Sequence, residues 1–238
     1  MILTTSNFFS FPLIRFATRL IVITSFCLTC VFFWVSNSEA QNNSTSFVKT
    51  KGLNNLSQSE ITDIFRIQTY LNSISTLTAR ILQISSDGGF SEGTLSLAKP
   101  GKMRLEYDDP NPILLISDGT HLAYYDKELE QVSYFDLQST QAAILLNKNI
   151  SFSSGKILIT AFERGPGVFR LTLTKGSDPL EGTITITLSD APLHLKKWKI
   201  IDSQGIITSV SLINPSFGLP LKSSLFNFEE PFKDLENQ

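Results

Sequence analysis

Cysteine is almost missing from this chain. Its 238 residues contain two, Cys27 and Cys30, both within the first forty. Once that segment is set aside, no disulfide can staple the rest, and thiolate zinc sites and cysteine nucleophiles are excluded. Histidine is equally scarce. His121 and His194 each fall in an alternating stretch, and neither has a partner at His-Glu-x-x-His spacing. The sequence has no Gly-x-Ser-x-Gly elbow, no phosphate loop and no dinucleotide fingerprint. It also lacks an excess of positive charge: beyond residue 40 there are 18 basic and 21 acidic residues, a net charge of −3. Such a domain has no electrostatic reason to seek nucleic acid. These absences predict a protein that is not an enzyme and needs no metal or cofactor.

Residues 1–40 read as an export signal. Arg15 and Arg19 supply a basic flank, Leu20 to Val35 an apolar run of 16 residues, and Ser38-Glu39-Ala40 the small residues before a cut at Gln41. A retained membrane anchor is the competing reading, because 16 residues is only slightly short of a span. A lipid-modified Cys30 would need small residues just before it, and Cys27-Leu28-Thr29 stands there instead. Residues 41–56 are rich in Asn, Ser and Thr, show no apolar period, and read as a flexible linker. One domain, 57–238, follows, long enough to build a core without disulfides.

Ser57-Gln58-Ser59-Glu60 has the spacing of a capping box. Behind it Ile61, Ile64, Phe65, Tyr70, Leu71, Ile74 and Leu77 recur at helical spacing, predicting an amphipathic helix of about five turns. From Thr78 the period changes to two. Strands are predicted at 78–85, 90–98, 102–107, 113–117, 121–126 and 131–135, with turns at Asp87-Gly88-Gly89 and Asp118-Gly119. A second helix is expected over 138–147. Alternation then returns at Phe169, Leu171 and Leu173, at Ile184, Ile186 and Leu188, at Trp198 and Ile200, and at Val210 and Leu212.

Clean alternation gives each strand one wet and one apolar face, the antiparallel case. About ten such strands form one sheet that must curl, and the fold class expected is mainly β: an unclosed antiparallel barrel with a helical lid. The acidic group Glu106, Asp108 and Asp109 reads as a turn rather than a metal site. Lys196, Lys197 and Lys199 read as a charged strand edge, with Lys196 placed on the face of Trp198. What remains is apolar surface. Tyr107, Tyr124, Tyr134, Phe169 and Trp198 are all placed on the inward face. They either fill an ordinary core or line a ligand cavity, since wide barrels tend to keep one.

Several segments in order resemble the periplasmic outer-membrane lipoprotein carrier family, LolA. They are Leu97-Ala98-Lys99-Pro100-Gly101-Lys102-Met103-Arg104-Leu105-Glu106-Tyr107, then Leu115-Ile116-Ser117-Asp118-Gly119, then Leu122-Ala123-Tyr124-Tyr125-Asp126 with Gln131-Val132. Weaker similarity runs over 57–232, including the Trp198 to Gly205 pattern and Leu225-Phe226-Asn227-Phe228 with Pro231.

The resemblance implies an open barrel whose helical lid covers an apolar cavity, and a periplasmic chaperone that shields the acyl chains of lipoproteins there. Its implied partners are the lipoproteins, an inner-membrane lipoprotein-releasing transporter and an outer-membrane acceptor, with the carrier a monomer. Lys99 stands where the family often has a lid-holding arginine. Lysine lacks the fork, so a looser lid is expected. Met103 and Leu105 stand where relatives commonly place aromatics. The cavity lining expected is Met103, Leu105, Tyr107, Leu122, Tyr124, Tyr134, Phe169, Leu171, Trp198 and Ile200. Ile144, Leu145 and Leu146 are expected to fill the pocket when it is empty and to swing away on loading. The alternative function on the same half-barrel is a lipid- or lipoprotein-binding sensor or regulator.

Overall fold

A computed structural model of the chain describes residues 48–49, 56–176 and 181–228. The expected signal peptide, its cut site and most of the expected linker lie outside the described residues.

The Ser57 box forms as its spacing predicts. Glu60 N–H donates to the Ser57 hydroxyl at 3.3 Å, and Ser57 N–H donates to the Glu60 carboxylate at 2.7 Å. Helix α1 then runs over Gln58–Ser73. It is shorter than expected: Ile74 already has extended dihedrals, and Leu77 lies in the following strand. Its buried face is Asp63, Ile64, Ile67 and Leu71, the i, i+3, i+4 spacing of one stripe. Phe65 points away from that stripe and is exposed.

The sheet has twelve strands among the described residues. They are β1 (Val48–Lys49), β2 (Thr76–Ser85), β3 (Phe90–Ala98), β4 (Lys102–Tyr107), β5 (Ile113–Asp118) and β6 (His121–Asp126). These are followed by β7 (Gln131–Asp136), β8 (Ile157–Gly165), β9 (Val168–Lys175), β10 (Thr183–Ser189), β11 (His194–Ile201) and β12 (Ile207–Phe217). Their order is β1-β8-β9-β10-β11-β12-β2-β3-β4-β5-β6-β7, with every neighbour antiparallel. Among the described residues no ladder joins β7 to β1 or β8, so the barrel stays open.

The segment after β7 forms a short 3-10 turn at Leu137–Ser139 and one helical turn, α2, at Ala143–Leu146. The continuous helix expected over 138–147 does not form. The 3-10 turn starts on the Asp136 side chain, which accepts from Gln138 N–H at 2.9 Å, and Thr140 returns to extended dihedrals. This strap also reveals how far the sheet curls. Thr140 O accepts from Lys175 of β9, while Leu146 O accepts from Gly101 N–H at the β3–β4 turn. A flat sheet would place those anchors about six strand spacings, roughly 29 Å, apart. Six residues, four of them helical, span only about 13 Å. The sheet therefore wraps around the strap.

Residues opposite one another in a ladder share a face. One continuous inner face can be followed across the strands. Leu188 and Phe169 pair, as do Ile186 with Leu171 and with Trp198, Trp198 with Val210, and Leu212 with Ile81. The face continues through Ala79–Leu95, Leu95–Leu105, Leu105–Leu115 and Leu115–Tyr124. These side chains, α1 and α2 form the main core. A second, smaller group on the outer face, Leu114, Ile116, Ala123 and Phe226, lies under the 3-10 turn Ser223–Phe226.

Candidate functional site

The inner face and the two segments over it make the site. Ile144, Leu145 and Leu146 of α2 are 0, 7 and 2% exposed. They sit in one cluster with Met103, Leu105, Tyr107, Phe169, Leu171 and Trp198, while Leu122 and Ile200 pack against that cluster half-buried. Where α2 lies, the hollow expected from the width of the sheet is therefore filled. Between Leu71, Leu77, Leu97, Lys99, Leu145 and Trp198 only a void of about 10 Å³ remains, room for about one water molecule. The sheet does not fill itself; the lid fills it.

Two tyrosines differ from the rest. Tyr124 lies on the inner face opposite Leu115 but is partly exposed. Tyr134 lies on the other face of the sheet. Phe135 pairs with Leu122 on the inner face, so Tyr134 pairs with Ala123 on the outer one and meets the Phe228 ring at 6.5 Å. The alternation was right and its phase was one residue off. Lys196 is displaced for a related reason. A register shift between Thr187 and Leu188 buries Leu195 and leaves Lys196 exposed, away from buried Trp198.

A few polar bonds tie α1 to the sheet and to the strap. The Lys99 ammonium donates to Leu71 O at 2.7 Å. Leu71 is in the last turn of α1, which contains no basic residue of its own, so Lys99 supplies the positive charge that a helix C-terminus favours. Burial pulls the Lys99 pKa down to about 8. Asn72 ties α1 to the strap, donating to Ile150 O at 2.9 Å and accepting from Ile150 N–H at 2.7 Å. Gln68 accepts from Phe152 N–H at 2.9 Å. Near the start of α1, buried Asp63 pairs with Arg66 at 2.7 Å and with Arg164 of β8 at 3.2 Å. Both guanidinium groups lie about 6 Å from the Phe169 ring centre, at 6.0 and 5.9 Å.

The wall of the hollow contains one deep polar pair. Tyr107 O–H donates to Gln83 Oε1 at 2.6 Å, and burial pushes its phenol up to about 12. The pair is neutral and leaves this stretch of wall uncharged. Two of the three residues singled out as an acidic cluster are engaged elsewhere: Glu106 with Arg104 and Lys127, Asp108 with Arg80. Sequence reasoning missed Asn72 and Asp63. Their spacing on a helix carries no signal, because their partners lie 78 and 101 residues away.

Known proteins are similar to this chain in sequence. The family model of the outer membrane lipoprotein carrier protein LolA matches residues 72–229. An outer-membrane lipoprotein carrier protein of Pseudomonas paraeruginosa (strain DSM 24068 / PA7) is 33% identical over 174 residues, which is 70% of this chain and 83% of that one. One from Pseudomonas syringae pv. syringae (strain B728a) is 32% identical over 178 residues, 71% of this chain and 84% of that one. A solved LolA superfamily protein from Nitrosomonas europaea aligns at 9% identity over 69% of this chain and 97% of its own, with a TM-score of 0.40, too loose a likeness to argue from. With the family match spanning most of the domain, and an open antiparallel barrel under a short helical lid, this chain belongs to the LolA family of outer membrane lipoprotein carrier proteins.

Proposed function

We propose that this protein is a periplasmic chaperone that carries lipoproteins from the inner to the outer membrane, shielding their acyl chains in the hollow that α2 now occupies. It receives them from an inner-membrane lipoprotein-releasing transporter and passes them to an outer-membrane acceptor. The observation that carries this reading is the burial of Ile144, Leu145 and Leu146 against the inner face, on a strap of one helical turn. A plug of three aliphatic side chains on so short an element can be exchanged for hydrocarbon without unfolding the sheet.

The magnitudes favour exchange over simple filling. An acyl chain of about fifteen methylenes gains roughly 12 kcal/mol on burial. Three aliphatic side chains returned to water lose about 5–9 kcal/mol. The difference leaves cargo bound but releasable, so transfer can run towards a tighter acceptor without nucleotide hydrolysis by this chain. Lys99 and Asn72 hold the lid closed between cargoes. No feature of the described residues favours the sensor reading.

The test places a photo-crosslinking amino acid at Leu145 and mixes the protein with inner-membrane vesicles loaded with labelled lipoprotein. Crosslinks to the acylated end and release of lipoprotein from the vesicles are expected. Release without any crosslink from Leu145 would move the cargo site elsewhere, and no release at all would remove the carrier role.

A further inference from the structure

A cleft of about 370 Å³ lies beside the strap, lined in part by Gln138, Asn147, Asn149, Lys156, Ile157 and Lys175. Its chemistry is divided. The mouth presents two ammonium groups and three amide side chains, and no carboxylate belongs to its lining. The floor reaches the core, because Ile157 is 5% exposed and shares the main cluster with Ile144, Leu145 and Leu146. Gln138 and Asn147 flank α2 on either side in the chain, so the cleft borders the strap that carries the plug.

The two cations are held differently. Lys175 donates to Gln138 O at 2.6 Å and Thr140 O at 2.7 Å, which fixes it in the wall. Asp136 acts on it from outside the lining, its carboxylate accepting from Gln138 N–H. The Lys156 ammonium makes no ion pair among the described residues. A fixed cation, an unpaired one and several amide donors around a polar mouth complement a phosphate. An apolar floor complements tails.

We propose that this cleft is a headgroup site for an anionic, phosphate-bearing lipid, whose tails take the place of Ile144, Leu145 and Leu146 in the hollow. The proposal rests on the carrier reading, since it needs α2 to leave. It also goes beyond that reading, because the acylated end of a lipoprotein bears no phosphate. The protein would then hold anionic phospholipid as well as lipoprotein.

The test titrates the purified protein with three probes, following backbone amide resonances at Asn147, Lys156 and the strap. The probes are dihexanoyl phosphatidylglycerol below its micelle concentration, neutral dihexanoylglycerol, and inorganic phosphate. The phospholipid should bind more tightly than the neutral diglyceride. Lys156→Gln, with an otherwise superimposable spectrum, should weaken phospholipid about tenfold and leave the diglyceride unchanged. Inorganic phosphate should bind much more weakly than the phospholipid. Phosphate binding as tightly as the phospholipid would make this a free-anion site and overturn the lipid proposal. Equal binding of both lipids, unaffected by Lys156→Gln, would overturn the headgroup site and leave the carrier reading standing. Failure of both lipids to bind would remove the two readings together.

Discussion

Lys99, in the turn after β3, donates its ammonium to the carbonyl of Leu71 in the last turn of α1, across 28 residues of sequence and 2.7 Å of space. One cation thus ties α1 to the sheet and caps the helix end. Replacing it by leucine keeps the apolar stem and removes the donor. Lys99→Leu should cost about 1.5–3 kcal/mol of closed-lid stability, the range for a hydrogen bond to a charged group. Limited proteolysis of 137–150 should accelerate accordingly. Lys99→Arg should slow it below wild type, because a guanidinium has more donors for lid carbonyls. Unchanged cleavage in both variants would deny Lys99 a latch role.

The same residue predicts a pH dependence. Burial lowers the Lys99 pKa to about 8 from its ordinary 10.5, so the unfolded chain binds a proton that the folded chain releases between those values. The cost of burying the charge is present in full below pH 8. It is relieved as pH rises towards 10.5. The melting temperature of wild type relative to Lys99→Leu should therefore climb between pH 8 and pH 10. A difference that stays flat over that interval would mean the ammonium is not desolvated.

Ile144 is fully buried in the plug. Ile144→Ala should destabilise the lipid-free protein by about 2–5 kcal/mol, the usual cost of truncating a core aliphatic. It should also tighten binding of a fluorescent fatty acid, because less plug must be displaced. Lower stability with weaker fatty-acid binding would contradict competition between plug and cargo.

Gly101 combines two demands on the β3–β4 turn. Its φ is +74°, and an added Cβ would come within 2.5 Å of the Gly119 Cα and 2.7 Å of its carbonyl oxygen. Its N–H also holds the strap through Leu146 O at 2.9 Å. Gly101→Ala must move backbone rather than side chain, at a cost above 1–3 kcal/mol. Thermal unfolding should shift down, with hydrogen exchange at 143–146 faster than in wild type. Normal exchange at those amides would mean that Gly101 does not anchor the strap.

Much of the fold was legible because local chemistry fixed it. The capping box starts α1 where Ser57 and Glu60 predict, and β3, β4 and β6 have the bounds that their alternation gives. The elements that were missed have local patterns overridden by their neighbours. Strand β8 carries a register shift between Ile159 and Ala161, which breaks the period of two by which strands are recognised. The 138–147 segment has helical composition, yet Lys175, Gly101 and Asp136 at the end of β7 pull its carbonyls and amides to separate anchors, leaving one turn of α-helix.

The sequence by itself determined that the chain is built of amphipathic strands behind a capped helix, because each of those follows from residue type and spacing. Only the tertiary structure decided which face each strand turns inward, as Tyr134 and Lys196 illustrate, because one residue of register inverts a whole strand. It alone decided that the hollow is plugged, since whether a broad sheet encloses space depends on what lies across it. Ile144, Leu145 and Leu146 reach that space through contacts more than forty residues distant in sequence, among them Trp198 beside Leu145, a juxtaposition that no local pattern encodes.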